Sequence, residues 1–337
     1  METNERKKII LSGMQPSGAL TIGNYLGALK NWAALMDDYD ALYIMVADMH
    51  SITVRQDPTV LRRRILETYA LFLASGIDPV RSAVFVQSQV PEHAVLSWIL
   101  NCNTYLGELS RMTQYKDKSA KHADNLNAGL FTYPVLMASD ILLYQADLVP
   151  VGADQKQHVE ITRDIATRFN NAYGQTFTVP EPYIPKVGAK IMSLAEPEKK
   201  MSKSDANPNA TILITDTADV ITRKIKRAVT DCCTGVPCLE DCCPGVVNLM
   251  SIYAAFTSKT LIEAQSEFTG KSYGVLKQAA ADATVAALSP LQAEYSRLMA
   301  DKAYLAECMR EGAKQASLRA SRTLRKVYHK VGFDCIK

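Results

Sequence analysis

Long apolar runs are missing from this chain. Stretches such as Ala41–Ala47 and Ile141–Tyr144 fall far short of the roughly 20 residues that span a bilayer, which excludes an integral membrane protein. The charged start Met1–Lys8 leads into only a short apolar run, without the apolar core or small-residue cleavage site of a secretory signal, so a cytoplasmic location is expected. Aromatic residues make up 7% of the chain, and Gly and Pro number 16 and 14; collagen-like and low-complexity classes are thereby excluded. There is no internal repeat. With 337 residues, 47% of them apolar and 22% charged, the chain is long enough for one large or two unequal domains around a sizeable core.

Charge of one sign is also scarce, at +3 overall, but it is unevenly shared. Residues up to Asp205 hold 21 Lys+Arg against 22 Asp+Glu, and the remainder 17 against 13. The basic carboxy-terminal third suits a polyanionic partner, and equally a solvated charged face.

The pattern of apolar residues predicts strands at Ile9–Leu11, Ala41–Ala47 and Ala83–Val86, alternating with amphipathic helices from Ile22 to Met36 and over Pro58–Ala74. Alternation at this spacing implies an α/β fold, a doubly wound parallel sheet. From Asp216 onward the pattern is helical throughout, over Asp219–Val229, Val246–Phe256, Leu261–Phe268, Leu276–Leu288, Pro290–Met299 and Ala313–Val331. A boundary near residue 210 is expected, giving a Rossmann-like catalytic domain over 1–210, with a helical insertion at roughly 54–128, and an all-α domain over 211–337.

Two loops carry candidate chemistry. The first, Ser12–Asn24, is a Gly-rich strand-to-helix turn of the kind that lets backbone approach a phosphate. It is no Walker loop, because Asn24-Tyr25 stands where Lys-[Ser/Thr] is needed, and the chain has no Gly-x-Gly-x-x-Gly. Tight packing is an equal reading of such a turn. The second, Lys199–Asp205, interleaves lysines with hydroxyls and suits stabilisation of charge on a departing pyrophosphate. A solvated basic loop is the ordinary reading of an arbitrary lysine pair.

Lys200-Met201-Ser202-Lys203-Ser204 is the signature loop of class I aminoacyl-tRNA synthetases, and Thr21-Ile22-Gly23-Asn24 resembles their first nucleotide-binding motif. Between them, Tyr133–Tyr144 and Val149–His158 resemble the bacterial-type tryptophanyl-tRNA synthetases, a similarity that runs over essentially the whole chain. One departure is Thr21, where many class I enzymes have His. The resemblance implies ATP contacts from Gln15, Pro16, Ser17, Gly23 and Asn24, from Gly152, Ala153, Asp154 and Ile191, and from Lys200, Met201, Ser202, Lys203 and Ser204. It implies that Lys200, Lys203 and Lys118 neutralise phosphates around bound Mg2+. It places tryptophan against Asp140, Met137, Tyr133, Gln155 and His50. It further implies a tRNA(Trp) partner, a helical anticodon-binding domain and a homodimer.

Read without the family, Met137 and Tyr133 are four apart on a helix and equally suit a core, and a single His50 after a strand suits a structural role. Asp140 differs. A carboxylate amid Leu136, Met137, Ile141, Leu142 and Leu143 is expensive to bury without a donor, which favours a ligand-facing role.

The expected reaction is ATP-dependent activation of tryptophan and transfer to tRNA. A tyrosyl-tRNA synthetase-like enzyme is the near alternative. A more distant one is a nucleotide-binding metalloregulator built on Cys232, Cys233, Cys238, Cys242 and Cys243, five of the eight cysteines. A reducing compartment disfavours a disulfide framework there, and the gaps are compatible with a soft metal such as Zn on Cys233, Cys238 and Cys242; an Fe–S cluster is what the resemblance adds, since some family members carry one, although the spacing here does not match their pattern. No Cys-x-x-Cys is present, so a variable surface loop is the default expectation.

Overall fold

A computed structural model describes residues 8–36, 39, 41–115, 126–152, 155–183, 191–203, 205–231, 235–237 and 242–333. Five strands, β1 (Ile9–Met14), β2 (Ala41–Val46), β3 (Ala83–Val86), β4 (Leu148–Pro150) and β5 (Glu181–Tyr183), form one sheet. Their order is β3-β2-β1-β4-β5 and every pairing is parallel. Parallel strands must bury both faces, and successive side chains alternate between them. Ile10, Ile44, Val84 and Val86 accordingly join one apolar cluster, and Leu11, Met45 and Phe85 the other.

Local signals start the helices. After β1 come α1 (Ile22–Asn24), a π-helical turn over Tyr25–Leu29 and α2 (Lys30–Leu35), followed beyond β2 by α3 (Asp48–Ser51). Asp57 caps α4 (Pro58–Ala74), accepting from Val60 N at 2.9 Å, with Pro58 in the first turn. The connection after β3 carries α5 (Glu92–Asn101) and α6 (Leu106–Ser110), and α7 (Ala128–Leu143) is capped by Asn127. The stretch 54–128 thus includes the edge strand β3 as well as helices.

The helix α8 (Lys156–Tyr173) joins β4 to β5, and after β5 the described elements are helices: α9 (Ala218–Lys226), α10 (Pro244–Thr257), α11 (Leu261–Phe268), α12 (Tyr273–Ala300) and α13 (Lys302–Val331). The apolar faces of α9–α12 and the start of α13 share the sheet's first cluster, where Ile10, Ile44 and Phe72 meet Ile212, Leu249, Leu288 and Leu305, and the rest of α13 joins the second through Ala316, Ala320 and Val327. The core is therefore continuous across residue 210.

Three sequence expectations differ from the structure. β4 and β5 have three residues each and contain Pro150 and Pro182, so they carry too short an apolar run to read. The helices expected on either side of Pro290 are one element, because Leu288 and Leu291 are both buried and the packing carries the helix through the proline. The last helix begins at Lys302, capped by Asp301 Oδ1 on Tyr304 N at 2.9 Å. Small residues Gly312, Ala316 and Ala320 on its buried face let α13 lie against β3. A Cβ added to Gly312 would stand 1.7 Å from the Val84 carbonyl oxygen.

Candidate active site

In a doubly wound sheet, ligands bind beyond the carboxyl ends of the strands where the strand order reverses. Here that point lies between β1 and β4. The loop Gln15–Gly18 leaves β1 there and Val151-Gly152 leaves β4, with Ser12 Oγ donating to the Pro150 carbonyl at 3.3 Å between them.

The first motif is organised by its own side chains. Thr21 N donates to Asn24 Oδ1 at 3.0 Å and Asn24 N to Thr21 Oγ1 at 3.3 Å, a reciprocal cap that gives Thr21 a structural task. A Cβ on Gly23 would sit 3.8 Å from the Cβ of buried Ile191, so these two candidate ATP contacts are neighbours. Pro16 is buried, and Gln15 and Ser17 are half-buried.

The second loop folds over the first. Lys203 Nζ donates to the Gln15 carbonyl at 3.3 Å, and its stem lies 3.4 Å from where a Cβ on Gly18 would be. Burial, with a smaller contribution from the Arg64 charge, lowers the Lys203 ammonium to about 8. Met201 is buried and its N–H donates to the Ile191 carbonyl at 3.0 Å; Thr211 Oγ1 donates to the Ser202 carbonyl at 3.0 Å. Lys200 is exposed. Gly152 is exposed and its carbonyl accepts from Gln155 N at 2.9 Å. Ala153, Asp154, Ser204 and Lys118 lie outside the described residues.

Asp140 is the centre of a second cluster. It is buried on α7, and its Oδ2 accepts from His50 Nε2 at 2.8 Å. Its Oδ1 accepts from Gln87 Nε2 at 2.7 Å and His93 Nδ1 at 2.6 Å. Burial alone would raise this carboxyl, but hydrogen bonds and charge from His50 and His93 hold it at about 2. An ionised carboxylate has about four acceptor positions. Three are used by these side chains, two on Oδ1 and one on Oδ2.

Tyr133 lies on the same helix, its ring edge-on to His50 with centroids 6.4 Å apart, and its hydroxyl is 2.8 Å from His158 Nε2 on α8. Burial raises the Tyr133 hydroxyl, which keeps it protonated. Met137 is half-buried on α7 between Tyr133 and Asp140 in sequence, and Gln155 opens α8 one turn before His158. The structure therefore brings Asp140, His50 and Tyr133 together, while Met137 and Gln155 stand on the two helices that flank them.

Sequence reasoning did not single out Gln87, His93, Tyr144 or His158. Gln87 directly follows the carboxyl end of β3, and its Oε1 also accepts from Met49 N at 3.1 Å. That position beyond a strand end was the available signal. Cys233 and Cys238 lie outside the described residues, whereas Cys242 is half-buried near the Pro237 carbonyl. Among the described residues no group of three His, Cys, Asp or Glu is placed to hold a metal ion.

A parallel sheet of this order, with a lysine loop closed over its first turn, is the arrangement of a class I synthetase catalytic core. Residues 3–289 match the sequence model of the family described as tRNA synthetases class I (W and Y), and the chain belongs to that family. It is 56% identical over 328 residues to the tryptophan–tRNA ligase of Clostridium perfringens, covering 97% of this chain and 98% of that protein. Its fold matches the tryptophanyl-tRNA synthetase of Mycoplasma pneumoniae with a TM-score of 0.88 at 37% identity, covering 97% and 98% of the two chains. The Campylobacter jejuni tryptophanyl-tRNA synthetase, complexed with ADP and tryptophan, matches with a TM-score of 0.83 at 37% identity, covering 96% and 99%.

Proposed function

We propose that the chain is a tryptophan–tRNA ligase, which activates L-tryptophan with ATP and transfers it to tRNA(Trp). The observation that carries the choice of amino acid is Asp140, a buried carboxylate with three side-chain donors and one acceptor position left on Oδ2. An indole N–H satisfies that position; phenylalanine leaves it empty, and a site built around a hydrogen bond rejects the analogue lacking it by about 10⁴–10⁵. Tyr133 and Met137 pack the ring, and Gln155 meets the amino group. A tyrosine-specific enzyme is disfavoured by the 56% identity to a tryptophan enzyme.

The chemistry needs positioning and electrostatics rather than a protein nucleophile. A tryptophan carboxylate oxygen attacks the α-phosphorus of ATP, the bond to the bridging oxygen breaks, and pyrophosphate departs with its electron pair. Gln15, Pro16, Ser17, Gly23, Asn24, Gly152 and Ile191 hold the nucleotide, and Lys200 and Lys203 stabilise the pyrophosphate. Mg2+, when bound with ATP, would supply further charge neutralisation beside Lys200 and Lys203. The terminal ribose hydroxyl of tRNA then attacks the acyl carbon and AMP leaves.

Residues 1–210 are proposed to perform this reaction and 211–337 to hold the anticodon arm, a division of labour within one continuous core. A homodimer is supported by Trp98, Tyr105 and Leu106, large apolar side chains of the α5–α6 stretch that are mostly exposed in a single chain. No helix among the described residues is long and apolar enough to cross a membrane, and a cytoplasmic location is proposed, where charged tRNA is consumed. Pyrophosphate exchange with each amino acid in turn tests the reading: exchange with tryptophan alone supports it, and exchange with tyrosine, or with none, sinks it.

A further inference from the structure

We propose that His93 is a positioning residue for tryptophan recognition, held between Asp140 and Tyr144 so that it orients Asp140 and leaves the last acceptor position of that carboxylate for the indole. This rests on the tryptophan-activating reading above. His93 has no solvent exposure, and both ring nitrogens are engaged, Nδ1 with Asp140 Oδ1 at 2.6 Å and Nε2 with the Tyr144 hydroxyl at 2.8 Å. An ionised carboxylate only accepts, so Nδ1 carries the proton. The Tyr144 hydroxyl meets His93 at Nε2, which accepts its O–H. Burial and the Asp140 charge push the Tyr144 hydroxyl well up, which keeps it a donor.

Tyr144 and His93 are themselves held from several directions. The Tyr144 ring packs on Tyr43 and Phe85 with centroids 4.5 and 5.5 Å away, and its backbone carbonyl accepts from Arg319 Nε on α13 at 2.6 Å. The His93 carbonyl accepts from Ser139 Oγ at 2.7 Å. Glu92, next to it, accepts from Ser317 Oγ at 2.8 Å and from Ser321 Oγ, both on α13. The carboxyl-terminal helix thus holds Tyr144 directly and His93 through its neighbour Glu92. Rotation of Asp140 about its side chain would break bonds on both oxygens at once, and the pre-set orientation is what a directional contact to an indole N–H requires.

The test is pyrophosphate exchange by the full-length protein, with tryptophan and ATP varied separately. His93→Ala is expected to raise the KM for tryptophan about tenfold or more, the loss for a charge-assisted hydrogen bond, with the KM for ATP little changed. His93→Asn, whose side-chain N–H falls near the position of Nδ1, is expected to recover most of that loss. Tyr144→Phe removes one oxygen from the interior, keeping the chain foldable if the alanine variant is not. It should raise the KM for tryptophan severalfold and move the ¹⁵N shift of His93 Nε2, which loses its hydrogen-bond partner, while Nδ1 stays protonated against Asp140. A KM for tryptophan within twofold of the unmodified protein in both Tyr144→Phe and His93→Ala overturns the proposal, as does His93→Asn performing no better than His93→Ala. Asp140→Ala separates the two failures: if it raises the KM for tryptophan while the others do not, only the role of His93 falls, and if it has no effect the reading of the site falls with it.

Discussion

Lys203 reaches back to the backbone of Gln15, its Nζ 3.3 Å from the carbonyl oxygen, so the lysine loop lies closed on the turn that follows β1. The same ammonium is half-buried and feels the charge of Arg64 on α4. Two cations therefore converge where the proposed ATP site needs to receive phosphates, and a polyphosphate relieves the repulsion between them.

Lys203→Ala should slow adenylate formation by about 10²–10³ while weakening ATP binding far less, because the charge matters most as the pyrophosphate departs. The pH profile is more diagnostic. Lys203 has its ammonium lowered to about 8 in the free protein, so it is charged below that pH and loses its proton above it. The kcat/KM for ATP should fall as pH rises through about 8, and Lys203→Arg, charged at all these pH values, should move that descending limb upward. A limb that stays in place in Lys203→Arg assigns it to another group.

Asp140→Ala should raise the tryptophan requirement and relax the discrimination against phenylalanine. Affinity and discrimination both within twofold, about 0.4 kcal/mol, would falsify the assignment. Acid stability gives a second readout. The carboxyl is lowered from 3.8 to about 2 in the folded protein, so the stability it contributes is complete above about 4 and is lost as pH falls through about 2. That contribution is on the order of 2 kcal/mol. Chemical denaturation of Asp140→Asn should show less loss of stability between those two pH values.

Much of this was legible before the fold was known, and for identifiable reasons. The strands at Ile10, Ile44 and Val84 are apolar runs because both faces of a parallel sheet are covered. Asp140 stood out because a carboxylate has no reason to lie among leucines unless donors come to it. The donors were not legible. His93 is 47 positions from Asp140 and His50 is 90, and only the packing of α5 and α3 against α7 brings them together. Spacing also does not separate inward from outward charges on α13: Arg319 lies three and four residues apart in one series with Arg322, Lys326 and Lys330, yet it turns inward to the Tyr144 carbonyl.

Gly312 is where α13 crosses the edge of the sheet, and a methyl group there would overlap the Val84 carbonyl. Backbone on both sides leaves no flexible side chain to yield. Gly312→Ala should therefore destabilise the protein by about 3 kcal/mol through overpacking, although alanine is the better helix former. The measurement is the denaturant midpoint, and an unchanged or higher midpoint would show that α13 can lift from β3 at little cost. Because α13 also grips Glu92 and Tyr144, the KM for tryptophan should rise in the same variant.

The outward side of α13 presents a different chemistry. Arg322, Arg325, Lys326, His329 and Lys330 line a cleft of about 550 Å³ with Gln175 and Thr176, and the four Arg and Lys residues are exposed. The opposite wall is fixed by Gln145, whose side chain donates to the Thr176 carbonyl at 3.2 Å and accepts from Thr178 N at 2.8 Å. A fixed cleft with this much positive charge suits a phosphate backbone, whose binding releases counterions and is correspondingly sensitive to salt. The double variant Arg322→Ala with Lys326→Ala should weaken tRNA binding and lower the slope of log affinity against log salt by about one to two units, while tRNA-independent pyrophosphate exchange is unchanged. An unchanged salt slope would make the cleft a solvated helix flank. Arg319→Ala should behave in the opposite sense, disturbing exchange through Tyr144 and leaving the salt slope as it was, because its side chain is committed to the interior.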